Sequence, residues 1–188
     1  MDIGAELYCR YLDGDNASLD ELVKTYGDGL VRFAYCFVKD SAAAEDIAAD
    51  TFATLIFRRK RFYQRASFKT YLYKIARNKC LDFLRYNKRF TPLDDLENVL
   101  YDESENICDD TETTDMLYCC LQRLPRQYRD VLVLTYLEGF SVADVTKIMG
   151  KSTKQVYNLL SRAKPSLKTL LINEGINYEK LHGKNGID

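Results

Sequence analysis

From Leu30 to Glu138 the chain contains no glycine, and its prolines fall only at positions 92, 125 and 165. A chain this poor in turn formers cannot make the frequent tight reversals that antiparallel sheets need. Hairpin dipeptides are missing and period-two alternation is rare, whereas apolar residues recur at spacings of three and four. That periodicity predicts an all-α fold.

Leu19, Leu22, Val23 and Tyr26 open one helix after Ser18, and Leu30, Ala34 and Phe37 continue its stripe past Gly27 and Gly29. A second helix starts near Ser41 and carries Ile47, Thr51, Phe52, Leu55 and Ile56. Ser67 is expected to cap a third, with Phe68, Leu72, Ile75, Ala76 and Phe83 inward. Residues 90–114 contain Pro92, few large apolar residues and many acids, which predicts a flexible linker. Beyond it, Leu117, Cys120, Leu121 and Leu124 form a short helix, and Pro125 opens the next, bearing Tyr128, Val131, Leu132, Thr135 and Leu137 up to Gly139. Ser141 with Asp144 and Ser152 with Gln155 look like two capping boxes separated by Gly150. Two short capped helices joined by Gly150-Lys151-Ser152 form a helix-turn-helix signature. The expected organisation is two small helical domains, 1–89 and 115–172, joined by the acidic linker 90–114 and followed by a tail, 173–188.

Of the 188 residues, 46% are hydrophobic and 29% charged, enough apolar content for a packed core. No apolar run approaches the ~18 residues of a membrane span. Met1 to Arg10 includes Asp2 and Glu6 and lacks a basic start, unlike a signal peptide. The six cysteines include no C-x-x-C pair, and His182 is the only histidine. No metal, cofactor, nucleophile–base set or phosphate loop is therefore expected, and an enzyme is not. Unpaired cysteines fit a reduced, cytoplasmic compartment.

The net charge of −1 conceals strong segregation. Residues 1–57 carry 4 basic and 11 acidic side chains, and residues 58–89 carry 12 basic and one acidic, Asp82. Residues 90–146 carry 3 and 13; residues 147–168 carry 6 and none. Each basic block is an electrostatic footprint for a polyanion. In the last helix Val156, Leu160 and Ala163 must pack inward. Lys154, Tyr157, Asn158, Ser161 and Arg162 face the other way, a set suited to groove edges and phosphates. The 58–89 block interleaves aromatics with positive charge: Phe62, Tyr63, Phe68, Tyr71, Tyr73, Phe83 and Tyr86. Duplex DNA exposes no base faces, so this mixture points to a single strand. Lys69, Tyr73 and Arg77 share one row of a helix, with Lys74 and Asn78 beside it.

SAAAEDIAADTFATLIF and SFKTYLYKIARNKCLDFLRYNKR resemble sigma region 2, and LPRQYRDVLVLTYLEGFSVADVTKIMGKSTKQVYNLLSRAKPSLKTLL resembles sigma region 4. Their order resembles a small extracytoplasmic-function sigma factor of bacterial RNA polymerase, over roughly residues 5–171. The resemblance implies that Glu45, Asp46, Ile47, Asp50, Thr51 and Phe52 dock on the β′ clamp helices, with a second contact at the β flap. It implies that Tyr63, Gln64, Arg65, Ser67, Tyr71, Lys74, Arg77 and Asn78 bind the melted minus-ten strand. Lys154, Tyr157, Asn158, Ser161 and Arg162 would read the minus-thirty-five duplex, and the acidic linker would run toward the RNA exit path. Promoter DNA, core polymerase and an anti-sigma factor are the implied partners. Ala49-Asp50 stands where the family has Gln-Glu, Tyr71 where it has tryptophan and Leu159 where it has a basic residue. Pro165 is expected to kink or end the last helix near Lys164. The alternatives are a stand-alone helix-turn-helix regulator and a protein-interaction module that occupies polymerase without starting transcription.

Overall fold

The computed structural model describes residues 2–58, 66–90 and 112–175. All regular elements among these residues are helical: α1 (Ile3–Leu12), α2 (Asn16–Val38), α3 (Ser41–Arg58), α4 (Phe68–Phe90), α5 (Glu112–Arg123), α6 (Arg126–Leu132), α7 (Val142–Met149) and α8 (Thr153–Asn173). A π-helical turn, Val133–Leu137, extends α6. Most of the linker, residues 91–111, and the end of the tail, 176–188, lie outside the described residues.

Helices α1–α4 form one lobe. Leu22, Leu30, Phe33 and Ala34 of α2 are buried against Ala44, Phe52 and Leu55 of α3 and Phe68, Leu72 and Ala76 of α4. Each fully buried leucine or phenylalanine contributes about 1.5–3 kcal/mol of transfer free energy. The first helix, α1, has Leu7, Tyr8 and Tyr11 buried at helical spacing. Asp2 caps α1 by accepting from the Gly4 N–H, and its other carboxylate oxygen accepts from Phe68 N–H at the start of α4. One side chain therefore ties two helix N-termini together, where negative charge is favoured. Ser67 caps α4 as expected, its hydroxyl accepting from Thr70 N–H at 3.1 Å. Asp15 rather than Ser18 precedes α2, and Ser18 is buried, donating to the Asp15 carboxylate at 2.7 Å.

Helices α5–α8 form the second lobe around Leu121, Val131, Leu134, Val145, Ile148, Val156 and Leu160. Ser152 and Gln155 make the complete reciprocal capping box. At Ser141 only half of it forms, because the Asp144 carboxylate accepts from the Ser141 hydroxyl instead of its N–H. Gly150 adopts φ 64°, a left-handed cap that closes α7 and turns the chain into α8.

Pro165 does not end the last helix: α8 runs through it to Asn173. The lost backbone donor is a local cost, and packing beyond it outweighs that cost. Leu171 is buried, Leu167 and Leu170 pack on the core, and Arg123 of α5 pairs with Glu174. The hydroxyls of Ser166 and Thr169 donate to the carbonyls of Arg162 and Pro165 on either side of the ring.

A Cβ built on Gly4 lies 2.6 Å from the Phe68 ring and 2.5 Å from the Tyr26 hydroxyl. The α1–α4 crossing therefore needs glycine there. Gly4→Ala is expected to destabilise the protein by about 1–3 kcal/mol through overpacking. Thermal unfolding checks this, and an unchanged or raised midpoint contradicts it.

Candidate nucleic-acid interface

Three charged surfaces emerge from these lobes. On α3 the outward side carries Glu45, Asp46 and Asp50, all exposed. Asp46 and Asp50 line a groove between α3 and α4 together with Asp40, Lys79, Asp82 and Phe83. Lys79 Nζ lies 3.3 Å from the Asp50 carboxylate. Ile47, Thr51 and Phe52, expected on the same docking surface, are interior. Thr51 donates its hydroxyl to the Ile47 carbonyl at 2.7 Å, and all three pack toward α2 and α4. Helix period separates them: Ile47 follows Asp46 and Thr51 follows Asp50, and that step carries both onto the inward side of α3. These three residues support the acidic face instead of forming it.

On α8 all five expected residues, Lys154, Tyr157, Asn158, Ser161 and Arg162, are exposed, while Val156, Leu160 and Ala163 are buried against the rest of the lobe. Two cations near this face, Lys164 and Lys147, are engaged within the lobe. Lys164 lies over the Tyr136 ring at 5.1 Å, and Lys147 pairs with Asp144 at 3.8 Å.

The α4 surface departs most from expectation. Lys74 and Asn78 are exposed and Tyr71 is half-buried, but Tyr73 and Arg77 are buried. The Lys69–Tyr73–Arg77 row does not face solvent. It packs on the second lobe. Arg77 reaches the Asp130 carboxylate at 3.1 Å, with side-chain exposures of 9% and 0%. Tyr73 donates to Glu138 Oε2 at 2.5 Å, and Lys69 donates to the Glu138 carbonyl at 2.6 Å. Phe140 meets the Tyr73 ring edge-on, with centroids 5.0 Å apart, and lies 4.7 Å from Lys69 Nζ. Arg77 was thus expected on a DNA-binding surface and is found in an ion pair between lobes. Ser67 is exposed at the head of α4. Tyr63, Gln64 and Arg65 lie outside the described residues.

Burial dominates the electrostatics of this contact. It pushes the Asp130 carboxyl above the usual carboxylate range, against the pull of Arg77. It also lowers the Arg129 guanidinium, which lies 5.8 Å from the Phe37 ring. Tyr73 is held well above its ordinary value, first by burial and then by the Glu138 carboxylate. Sequence reasoning missed Asp130, Arg129, Glu138 and Phe140. The available signal was a charge pair, Arg129-Asp130, immediately before the apolar run Val131–Leu134.

Residues 8–90 match the sigma-70 region 2 family, and residues 114–167 match sigma-70 region 4. The ECF RNA polymerase sigma factor SigM of Bacillus subtilis is 30% identical over 164 residues, covering 86% of this chain and 99% of that protein. The chain belongs to the ECF sigma factors. SigM of Mycobacterium tuberculosis is 29% identical over 180 residues, 94% of this chain and 89% of its own. Two solved structures share the fold. CnrH, in complex with the cytosolic domain of CnrY, matches with a TM-score of 0.69 at 24% identity, over 92% of this chain and 99% of that one. RpoE of Bartonella quintana, in complex with the anti-sigma factor NepR, matches with a TM-score of 0.69 at 23% identity, over 81% and 95%. As an ECF sigma factor the chain is a non-enzymatic initiation factor that works with core RNA polymerase and promoter DNA. Among the described residues no helix is long and apolar enough to cross a membrane.

Cys80, at the α4 side of the inter-lobe contact, is fully buried, and that burial pushes its thiol up to about 12. The thiolate, not the thiol, is the reactive form. At pH 8 an alkylating agent should label the exposed Cys9 and Cys119 and leave Cys80 unmodified until denaturant is added. Mass spectrometry reads this directly, and labelling of native Cys80 as fast as Cys119 contradicts the buried assignment.

Proposed function

We propose that this ECF sigma factor divides its work among three helices. The exposed carboxylates Glu45, Asp46 and Asp50 of α3 meet the β′ clamp helices, on a surface that Ile47, Thr51 and Phe52 hold from beneath. The Tyr63–Ser67 segment with Tyr71, Lys74, Arg77 and Asn78 of α4 takes the melted minus-ten strand. The polar face of α8 enters the minus-thirty-five duplex. The second lobe contacts the β flap, and the acidic linker follows the RNA path. Domain limits at 1–89 and 115–172, a linker at 90–114 and a tail at 173–188 belong to the same reading.

The observation that supports it best is the two-sided build of α8. Val156, Leu160 and Ala163 anchor the helix, and five donors and acceptors stand exposed opposite them behind a capped helix-turn-helix. Presentation of a recognition helix by its N-terminal half is how such motifs read a major groove. Second in weight is the opposition of charge between α3 and α4, which separates a surface for protein from a surface for phosphate. The complex of the structural relative RpoE with the anti-sigma factor NepR supports an anti-sigma factor as the regulator here. Work beside polymerase implies the cytoplasm. A stand-alone regulator would leave the acidic side of α3 and the aromatic-basic helix α4 without a role.

Asp46→Arg should abolish association with bacterial core polymerase in a pull-down while circular dichroism stays unchanged, since Asp46 is exposed. Undiminished association contradicts the clamp assignment. Arg162→Ala should weaken holoenzyme binding to the upstream element by about 1–3 kcal/mol, the scale of one base-edge contact. Gel-shift titration against promoters with and without that element checks it; equal losses on both would reassign Arg162 to the backbone.

A further inference from the structure

The outward side of α3 ends on a bare aromatic ring. Phe57 is 86% exposed, the most exposed large apolar side chain among the described residues. An α-helix turns about 100° per residue, so Phe57 lies within about 20° of both Asp46 and Asp50 around the axis of α3. It stands about 10 Å further along the helix than Asp50. We propose that Phe57 is the apolar anchor of the polymerase-docking surface, seated in a hydrophobic socket that basic side chains of the clamp helices flank. This rests on the reading of α3 as the clamp-docking helix.

The acids alone make a weak grip. Glu45, Asp46 and Asp50 are exposed, and pairs between solvated charges change an affinity by only a few-fold. Such charges steer a basic partner and fix its register. Tight binding comes from a few large side chains that lose water at the contact, with aromatics prominent among them. Between the carboxylates and Phe57 the same stripe offers only Ala49 and Ala53, too small to fill a socket. Ile47, Thr51, Phe52 and Leu55 belong to the core. Phe57 is the large apolar group that this side of α3 presents.

Charge points to a protein occupant and not to the promoter strand. The stripe that ends in Phe57 carries Asp46 and Asp50, and Asp40 and Asp82 line the groove beside them. A phosphate backbone is repelled by carboxylates so placed, whereas basic side chains of a protein are drawn to them. The next cation, Arg58, is turned about 100° off the stripe. A partner helix laid along α3 meets the acids with its cations at one end and Phe57 with an apolar pocket at the other. Polar contacts then set the fit and the ring supplies the dry part of the interface.

Because Phe57 is exposed, replacing it in the full chain should leave circular dichroism and the thermal midpoint unchanged. Phe57→Ala should raise the Kd for bacterial core polymerase at least about thirtyfold, the effect of truncating a hot-spot aromatic. Phe57→Leu should recover most of that loss. Apolar burial is not screened by ions, so the Phe57→Ala loss should be equal at about 0.1 M and about 0.5 M salt, while the smaller loss in Asp50→Ala should shrink. An unchanged Kd in Phe57→Ala overturns the proposal, and Asp46→Arg then locates the fault. If Asp46→Arg abolishes association, the acidic face docks without an apolar anchor. If it does not, α3 is not the docking helix. A Phe57→Ala loss that vanishes at the higher salt also overturns the proposal, since the ring would then act only through neighbouring charges. So does unchanged core affinity with weaker binding of forked promoter DNA by the holoenzyme, which would reassign Phe57 to the strand.

Discussion

A carboxylate with no surface in water must find a cation or give up its charge, and Asp130 is such a group. It meets Arg77 of α4, and that ion pair lies inside the contact where the apolar cores of the two lobes join. With α6 held on α4 there, the π-helical turn and Gly139 (φ 68°) bring the chain round so that Glu138 and Phe140 follow onto Tyr73 and Lys69. Removing either partner strands the other: breaking a buried pair costs about 3–5 kcal/mol when the surroundings cannot relax.

The same logic explains why one helix carries two kinds of side chain. On α4, Phe68, Leu72 and Ala76 belong to the first lobe's core, and Lys74 and Asn78 to solvent. Lys69 and Arg77 lie between, and Tyr73 joins them from the edge of the core, its ring 5.1 Å from that of Phe33. A face of that composition is costly to leave dry and unpaired, and it is ready for any partner bearing anionic and aromatic groups. The second lobe supplies them in the free chain. In initiation the proposed supplier is the unpaired promoter strand.

Much of this was legible in the sequence. Glycine depletion and three-four periodicity gave the helices, and the Ser152–Gln155 capping box with Gly150 gave the turn before α8. The inward Val156, Leu160 and Ala163 gave its free side. Each of those features is decided within one or two helical turns. What failed was decided at longer range. Pro165 looked like a helix end because the local donor is lost, but Leu171 and the Arg123–Glu174 pair hold the helix beyond it. The burial of Arg77 was not legible because nothing local distinguishes a cation facing solvent from one facing Asp130, 53 residues away. Ile47, Thr51 and Phe52 were grouped with their acidic neighbours by motif, and the helix period separates them.

With α4 taking the melted strand as proposed, the Lys69–Tyr73–Arg77 row changes partners, from the second lobe in the free chain to the promoter strand in the initiating complex. Electron cryomicroscopy of this sigma factor bound to core polymerase on an open promoter tests it most directly. The account predicts Arg77 parted from Asp130 and Tyr73 from Glu138, with α4 against unpaired bases and α8 in the upstream duplex. Lobes still joined through Arg77 and Asp130 in that complex would contradict it.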